Sequence, residues 1–483
     1  MKGKNSISRR STLKGTGAVG ALTFLGSKTV HSKEETLANP DLNYYASVIR
    51  EKVFQKVFQT PFIDTHEHLI EEKDRLSGTS HPEVKSDDWT MVFSHYIKAD
   101  MISAGMSQEA YDMFFSPGVD PLDKWALLEP YWPAVKNTGY GQAVSIALRE
   151  LYDVDALSAK TIKRVQSGYE KVRRRGFYKY ILCDLANIES CQVNSVDEPF
   201  KESDMPTLLM QDLAIVGVLT GLGLRQFSEP TGIELNSLSN CHKVIDWWFD
   251  KYGKYAVSVK SQHAYFRDID YEKVAAEEVE AIFKKTVDKQ SLGSEEAKML
   301  EDHLFWYMAD KATEFNLPIK LHMGYYNDNN CMPLSRLINN PGSATDLCRM
   351  APEKTFVLMH ICYPYYEELI SVVKHYTNAY ADMCWAWIVN PIASKDFLKK
   401  YLVTAPANKI LTFGGDYTPV EPVLGHATIA RRGIALALSE LVEEGWMSLE
   451  SALETIDPIM HGNARRIFNL AEKAKVLNNV RWG

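Results

Sequence analysis

The sequence lacks several features that would place it in a specialised class of protein. It has 7 cysteines among 483 residues, with no C-x-x-C spacing, which argues against a disulfide framework. Its formal net charge is -8 and its basic residues form no stripe, so nucleic acid is not expected as a partner. No repeat of about 20 to 50 residues is visible, and no apolar run reaches the roughly 20 residues of a membrane span. What remains is a globular chain whose 45% hydrophobic residues suffice for a sizeable core.

The first 33 residues differ in character from the rest of the chain. The segment SISRRSTLKGTGAVGALTFLGS contains Arg9 and Arg10, followed by an apolar run of about 12 residues, too short for a membrane span. It resembles a twin-arginine export signal, and the alternative is a basic tail. We therefore expect the twin-arginine translocase as a partner and a periplasmic or secreted location. Because this route carries folded proteins, often with their cofactor, the signal is compatible with a metalloenzyme.

Short apolar runs typical of strands recur between amphipathic helical stretches. They are PFIDTH (61–66), KYILCDL (179–185), TLLMQDLAIVG (207–217), YAVSVK (255–260), PIKLHM (318–323), TFVLMH (355–360), AYADMCW (379–385) and KILTFGGD (409–416). Eight strands that alternate with helices indicate an α/β fold, and more specifically a (β/α)8 TIM barrel. We expect this barrel to occupy residues 41–483 as one domain.

A long segment, at about 70–178, separates the first two predicted strands. It is rich in helix formers and aromatic residues, and we predict a helical insertion on the loop after strand 1. Because loops that follow barrel strands lie on the C-terminal face, the insertion would cap the active site. The alternative is a separate helical domain. Within the segment, His95 and Tyr96 are weak candidates for reaching the pocket.

Five of the predicted strands carry a potential ligand at their C-terminal end. These residues are His66 and His68 on strand 1, Lys260 on strand 4, His322 on strand 5, His360 on strand 6 and Asp416 on strand 8. Barrel enzymes build their sites from the ends of different strands. Imidazole and carboxylate groups are ligands of zinc and similar divalent ions. One such histidine alone is more often a packed residue, but five matched strand ends predict a metal site.

Taken together, these motifs resemble the amidohydrolase superfamily. The resemblance is carried by DTHEHL, LHMGYY, FVLMHICYP, GGDY and IMHGNARRIFNL, and it extends over nearly all of residues 60–470. The sequence resembles in particular the amidohydrolase-related branch of this superfamily, which contains metal-dependent hydrolases and some decarboxylases. The predicted cap, through SHYIKADMISAGM and PLDKWALLEPYWP, resembles that of uronate isomerase. These motifs are specific for the superfamily and unspecific for the substrate.

The resemblance implies a role for each histidine and for the aspartate. His66 and His68 would bind a divalent ion, most simply zinc, and His322 would be a third nitrogen ligand. Asp416 would touch the ion or its water and act as general base. His360 would lie near the substrate, where it orients the water or polarises the reacting carbonyl. Chemically, a bound divalent ion lowers the pKa of its water from about 15.7 towards 7.

Lys260 leaves the number of ions open. In binuclear members of the superfamily a carbamylated lysine on strand 4 bridges two ions, and His322 with His360 would then hold the second. The local sequence VKSQHAYFR looks more like that of mononuclear members. There Lys260, with Tyr265 and Arg267, would meet an anionic substrate. We favour one ion.

These expectations favour an exported, metal-dependent hydrolase of a small polar substrate. It would use a metal-activated water to cleave a C–N or C–O bond, as in an amide, lactone or ester. Two alternatives stay open: a metal-dependent decarboxylase of a small unsaturated or aromatic acid, and a uronate-isomerase-like sugar-acid isomerase. A third is a non-catalytic binding protein on a barrel scaffold. Any of these is compatible with a homo-oligomer.

Overall fold

In the part of the chain that the structure describes, eight short strands form the centre of the computed structural model. They are β1 (Phe62–Glu67), β2 (Ile188–Val193), β3 (Leu209–Gln211), β4 (Val259–Ser261), β5 (Ile319–Leu321), β6 (Phe356–Leu358), β7 (Ala379–Asp382) and β8 (Ile410–Leu411). β1 to β3 form one sheet and β4 to β8 form a second, each with its strands in chain order. Every pairing is parallel, as expected for strands connected by long crossovers.

Backbone hydrogen bonds join the two sheets to each other on both sides. Leu213, just after β3, forms a parallel bridge with Val259 in β4. The N–H of Thr65 in β1 donates to the carbonyl of Phe413, just after β8, at 3.0 Å. The strands therefore follow one another around a ring, which is the α/β barrel predicted from the sequence.

The structure describes four stretches of the chain: residues 40–78, 86–195, 198–214 and 227–482. The side chains of residues 40–45 are not part of that description. From Tyr45 onward the chain forms one compact unit. The predicted export signal lies outside the described residues and stays a prediction. Among the described residues, no helix combines the length and the apolar character that a membrane crossing requires.

Helices connect the strands and surround them. In chain order they are α1 (Pro40–Gln59), α2 (Glu72–Ser77), α3 (Ile97–Ser103), α4 (Gln108–Phe114), α5 (Pro121–Leu128), α6 (Trp132–Val135), α7 (Gly139–Tyr152), α8 (Ile162–Val172), α9 (Phe177–Lys179), α10 (Leu238–Tyr252), α11 (Ala276–Val287), α12 (Ser294–Glu314), α13 (Asn340–Met350), α14 (Tyr366–His375), α15 (Ala386–Val389), α16 (Pro391–Leu402), α17 (Glu421–Glu443), α18 (Leu449–Asp457), α19 (Asn463–Ile467) and α20 (Leu470–Leu477). Side-chain caps mark several starts, as at Ser107, Asp120 and Thr138, each of which accepts a bond from the first turn.

The described residues between β1 and β2 contain helices α2 to α9 and no strand. Of these helices, α7 packs against α17, the long helix that follows β8. A Cβ atom on Gly425 in α17 would collide with the carbonyl oxygen of Ala143 in α7, so glycine permits the two backbones to approach. The helical insertion is thereby attached to the same part of the chain that presents Asp416.

The predicted strand at 179–185 is wrong. Residues Tyr180–Leu185 form a helical segment of π type that continues α9, and the second strand is Ile188–Val193 instead. Buried positions in this region pair up, as at Ile181 and Leu182, and are followed by exposed positions. That spacing belongs to a helix, because a strand would alternate between its faces at every residue. The true strand, IESCQV, contains polar residues, so a search for short apolar runs did not identify it.

Candidate metal centre

Three side chains from β1 and from the turn after β8 converge on one point. The Nε2 atoms of His66 and His68 lie 3.3 Å and 3.2 Å from the Oδ1 atom of Asp416. All three residues are buried, and their ligand atoms are close enough together to hold one metal ion. His66 and His68 are two residues apart on a strand, so their side chains point to the same side.

Hydrogen bonds leave the nitrogens that face Asp416 free to bind a metal. The Nδ1 of His68 donates to the backbone carbonyl of Asn194 at 2.8 Å, so the proton lies on Nδ1 and Nε2 keeps its lone pair. Neither ring nitrogen of His66 has a hydrogen-bond partner among the described residues, although the ring is fully buried. Buried polar atoms without a partner are costly, and a bound cation would satisfy them.

A buried carboxylate supports His66 from the other side. The Oδ2 of Asp212, which follows β3, lies 3.7 Å from the Nδ1 of His66. Asp212 is held in place by Lys320, whose Nζ donates to it at 2.9 Å, and by the hydroxyl of Ser258 at 2.5 Å. Metal-binding histidines commonly have such a carboxylate behind them, because it orients the ring and raises its basicity.

The electrostatics of the cluster suit a cation. Burial, with the charge of Lys260 as a smaller cause, lowers the pKa of His66 well below its ordinary value, so the ring is neutral. Burial by itself would raise the pKa of Asp416. The contacts of its carboxylate with His68, His66 and His360 outweigh burial and hold that pKa well below its usual range. Neutral imidazoles and an ionised carboxylate are the forms that bind metal. The residues present therefore fit a divalent ion such as zinc.

His360, just after β6, is close to this cluster and leaves one nitrogen open. Its Nδ1 donates to the carbonyl of Cys384 at 3.0 Å and lies 3.9 Å from the Oδ2 of Asp416. Its Nε2 is buried and has no partner among the described residues. Burial lowers the pKa of His360 to about 4, so this nitrogen is a hydrogen-bond acceptor at neutral pH. His360, Ile361 and Cys362 all have left-handed backbone (φ 59°, 48° and 54°), a strain that is common at functional sites.

His322, just after β5, lies beside His360 and is oriented differently from the β1 histidines. The two rings have centroids 4.4 Å apart. The Nε2 of His322 donates to the carbonyl of Tyr325 at 3.0 Å, which occupies the nitrogen that a third ligand would offer from that side. The structure brings His66, His68 and Asp416 together and leaves His322 in the neighbouring wall.

The cluster opens onto a cavity of about 410 Å³. The residues that line it are His68, His95, Tyr96, Lys260, Gln262, Tyr265, Phe266, His322, Asn327, Asp328, Met332, Asp416 and Thr418. Most of them carry a polar group, so the cavity suits a small polar molecule. A larger groove of about 1390 Å³, between α7 and α17, contains none of the predicted site residues.

The three predicted substrate-binding residues are placed differently from one another. Lys260 and Tyr265 line the cavity, and burial lowers the pKa of Lys260 to about 8. Arg267 does not line it: its guanidinium forms ion pairs with Asp302 at 2.7 Å and Asp270 at 2.9 Å. Among the described residues that line the cavity, the cation is Lys260.

Two residues of the helical insertion, His95 and Tyr96, reach the cavity. The backbone N–H of Thr418 donates to the Nδ1 of His95 at 3.3 Å, so the Nε2 of His95 carries the proton and is a donor. Tyr96 stacks on Trp385, with ring centroids 4.7 Å apart. The residues before α3 therefore form part of the wall that faces the metal ligands.

Sequence analysis missed several residues of the site. Asp212 directly follows β3, but the predicted strand extended to residue 217, so the strand-end argument that identified the other residues did not find it. Gln262 is two residues after Lys260, and its amide lies 3.3 Å from the Nε2 of His68. Thr418 and Asn327 lie in loops, and nothing in their local sequence distinguishes them from other polar loop residues.

Comparisons with known proteins agree with this geometry. A model of the amidohydrolase family matches residues 247–470. The chain is 28% identical over 167 residues to Protein fluG of Emericella nidulans, covering 34% of this chain and 19% of that protein. It is 21% identical over 313 residues to the uronate isomerase of Clostridium perfringens, covering 61% of this chain and 64% of that protein. It therefore spans less than two thirds of either relative.

A solved structure extends the likeness to the whole fold. The glucuronate isomerase of Caulobacter crescentus is 18% identical and superimposes with a TM-score of 0.72, over 90% of this chain and 95% of that one. Identity this low supports the fold and not the substrate. Because it covers 90% of this chain, the superposition extends well beyond residues 247–470, which the family model matches. Residues 247–470 are thus similar to the amidohydrolase family, and the fold as a whole is like that of a glucuronate isomerase.

Proposed function

We propose that this protein is a metal-dependent hydrolase that cleaves a C–N or C–O bond, as in an amide, lactone or ester, of a small polar substrate. The observation that carries the proposal is the convergence of His66, His68 and Asp416 beside a polar cavity of about 410 Å³. Three protein ligands with one side open to a cavity are typical of catalytic rather than structural metal sites.

The proposed centre holds one divalent ion, most simply zinc, on His66, His68 and Asp416. Such an ion supplies Lewis-acid activation of a water molecule at neutral pH. Asp416 is held ionised by its surroundings, so it accepts the proton that the attacking water loses. It then returns that proton to the leaving group, as a general base that becomes a general acid.

Two further side chains direct the reaction. The free Nε2 of His360 is an acceptor, so it orients a water or a substrate hydroxyl rather than polarising a carbonyl, which requires a donor. The ammonium of Lys260, in the cavity wall, neutralises negative charge on the substrate or on the developing oxyanion. The hydroxyl of Tyr265 accepts from the N–H of Asn327 at 3.1 Å, which leaves its proton available to the substrate.

Lys260 also supports one ion rather than two. Burial is the larger cause that lowers the pKa values of His66, His322 and His360, and the positive charge of Lys260 lowers them further. An ammonium in the cavity wall would repel a second cation beside these histidines.

A uronate-isomerase-like activity on a sugar acid is the second candidate. It is favoured by the lining of the cavity, where Lys260 offers a cation for a carboxylate and Gln262, Asn327 and Thr418 offer polar groups for several hydroxyls. The fold likeness to an isomerase is compatible with it. In that case Asp416 would move a proton between neighbouring carbons instead of from water.

The first test is elemental analysis of protein purified without added metal, followed by turnover assays with and without a chelator. We expect about one divalent ion per chain and activity that is lost with the ion. A panel of amides, lactones and esters, beside a panel of uronates, separates the two candidates, since hydrolysis consumes water and isomerisation does not. Full activity in metal-stripped protein would contradict both.

We also propose that the protein is exported folded through the twin-arginine translocase, because Arg9 and Arg10 precede a short apolar run. Replacing both arginines by lysine should retain the protein in the cytoplasm, as measured by fractionation. The paired substitution Lys2→Arg and Lys4→Arg, which leaves Arg9 and Arg10 in place, is the control. Unchanged export of the twin-lysine variant would contradict the proposal.

A further inference from the structure

The turn that presents Asp416 is held by β1 at three successive backbone N–H groups. The N–H of Gly415 donates to the Oδ1 of Asp64 at 3.1 Å. The N–H of Asp416 donates to the carbonyl of His66 at 2.8 Å. The N–H of Tyr417 donates to the Oε2 of Glu67 at 2.6 Å. Two of the three acceptors are carboxyl groups that take no part in the cluster of metal ligands.

These two carboxyl groups reach the same turn from β1. Side chains three apart on a regular strand point to opposite faces, but the register of β1 against β2 shifts between Asp64 and Glu67. The irregularity lets Asp64 accept from the N–H of Gly415 while Glu67 accepts from the N–H of Tyr417. Both residues are fully buried, so these bonds are shielded from water.

The same pair restricts the conformation of the turn. Asp416 has a left-handed backbone (φ 62°), which a residue with a side chain adopts only when its surroundings enforce it. A Cβ atom on Gly415 would collide with the carboxyl of Glu67, so the side chain of Glu67 packs directly against the turn. Asp64 holds the residue before Asp416 and Glu67 holds the residue after it, which leaves the side chain of Asp416 directed at His66 and His68.

We propose that Asp64 and Glu67 are positioning residues that hold Asp416 in its metal-binding conformation and thereby set the affinity of the centre for its ion. The proposal rests on the proposed function, because it requires Asp416 to be a ligand. The proposal gives a positioning role to Glu67, which lies between His66 and His68 in the sequence and whose side chain is not itself a ligand. Outer groups of this kind contribute about 10- to 100-fold to metal affinity in other proteins.

The test measures the affinity of metal-stripped full-length protein for Co²⁺, by competition with a chelator of known affinity and by the visible absorption of the bound ion. Glu67→Ala removes the bond to Tyr417 and should weaken Co²⁺ binding by about 10- to 100-fold. Glu67→Gln keeps the shape of the side chain and an amide oxygen that accepts from the N–H of Tyr417. It should bind Co²⁺ within about threefold of the unchanged protein.

A matched control separates positioning from general loosening of β8. Asn463 donates to the carbonyls of Ala407 and Ile410, at the opposite end of the same strand, at 2.8 Å each. Asn463→Ala should lower thermal stability and leave Co²⁺ affinity and its absorption spectrum unchanged.

Each result bears on one proposal. Equal Co²⁺ affinities for the unchanged protein and Glu67→Ala would overturn the positioning role while leaving the metal centre intact. A loss in Asn463→Ala as large as that in Glu67→Ala would overturn it as well, and so would a full loss in Glu67→Gln. An unchanged protein that binds no Co²⁺ would instead contradict the metal centre on which the proposal rests.

Discussion

The two histidine pairs of this barrel are similar in sequence and different in structure. His66 lies in β1 and His68 directly follows it, whereas His322 and His360 follow β5 and β6, and all four are buried. In the first pair both Nε2 atoms lie within 3.3 Å of the same oxygen of Asp416. In the second pair, His322 donates its Nε2 to a backbone carbonyl, and His360 keeps a free Nε2.

The β1 side of the site and the β5 and β6 side differ in the backbone structure that carries their histidines. The β1 side is connected to the turn after β8 by a series of backbone hydrogen bonds, which suits a group that must hold an ion in fixed geometry. The β5 and β6 side consists of loop residues with left-handed backbone at His360 to Cys362. The proposed metal side, with His66 and His68, and the proposed substrate side, with His322 and His360, therefore both use histidine. The hydrogen-bond partners of each ring decide its role.

The largest expected effect is that of His66→Ala. It removes a ligand whose two nitrogens have no protein hydrogen-bond partner, so metal affinity should fall by more than the ~100-fold that loss of an outer partner costs. Elemental analysis and turnover measure it. His375→Ala, at an exposed histidine in α14, is the control and should change neither. If His66→Ala retained a full metal complement, His66 would not be a metal ligand and the proposed difference between the two pairs would be wrong.

The next effect separates the two members of the second pair. His360→Ala should lower kcat by about 10²- to 10³-fold with the metal content kept, because a catalytic acceptor is lost. His322→Asn should cost less than about tenfold, since its Nε2 is already bound to Tyr325. Steady-state kinetics beside elemental analysis distinguish them. If His322→Asn loses metal as His66→Ala does, His322 is the third nitrogen ligand that the sequence resemblance implies. The two histidine pairs would then not differ in their roles.

Seven of the eight described strands could be derived from the sequence, because most barrel strands are short apolar runs with a polar residue at the end. The exception is instructive. KYILCDL is as apolar as a strand, but it continues α9 as a helix, while IESCQV forms β2 in spite of Glu189, Ser190 and Gln192. A barrel strand near the site buries polar side chains, so hydrophobicity alone does not identify it.

Similarly, the candidate metal ligands could be derived from strand ends, and the orientation of a ring could not. Whether His322 offers its Nε2 to an ion depends on the carbonyl of Tyr325, which comes within 3.0 Å only through the turn after β5. The role of Glu67 depends on a change of register in β1. Both are consequences of tertiary structure that no local pattern records.

Lys260→Met should have a smaller effect that depends on pH. With a pKa of about 8, Lys260 is charged below that pH and neutral above it, so KM for a carboxylate-bearing substrate should rise as the pH passes through 8. Below pH 8 the variant should have a KM about 10- to 100-fold higher, since a charged hydrogen bond is lost, and its KM should be independent of pH in this range. Lys473→Met is the control, because burial lowers the pKa of Lys473 to about 8 as well, away from the cavity. An unchanged pH profile in Lys260→Met would exclude Lys260 from substrate binding.

The smallest effect on catalysis is expected for Arg267→Ala. The sequence places Arg267 beside Lys260 and Tyr265, but its guanidinium is bound to Asp302 and Asp270 instead of the cavity. KM should therefore stay within about twofold, while the free energy of unfolding falls by about 1–3 kcal/mol as buried Asp302 loses a charged partner and keeps Lys298. Denaturant unfolding and steady-state kinetics give the two values, and Arg349→Ala, at an exposed arginine, should change neither. A tenfold rise in KM with unchanged stability would instead assign Arg267 to the substrate side.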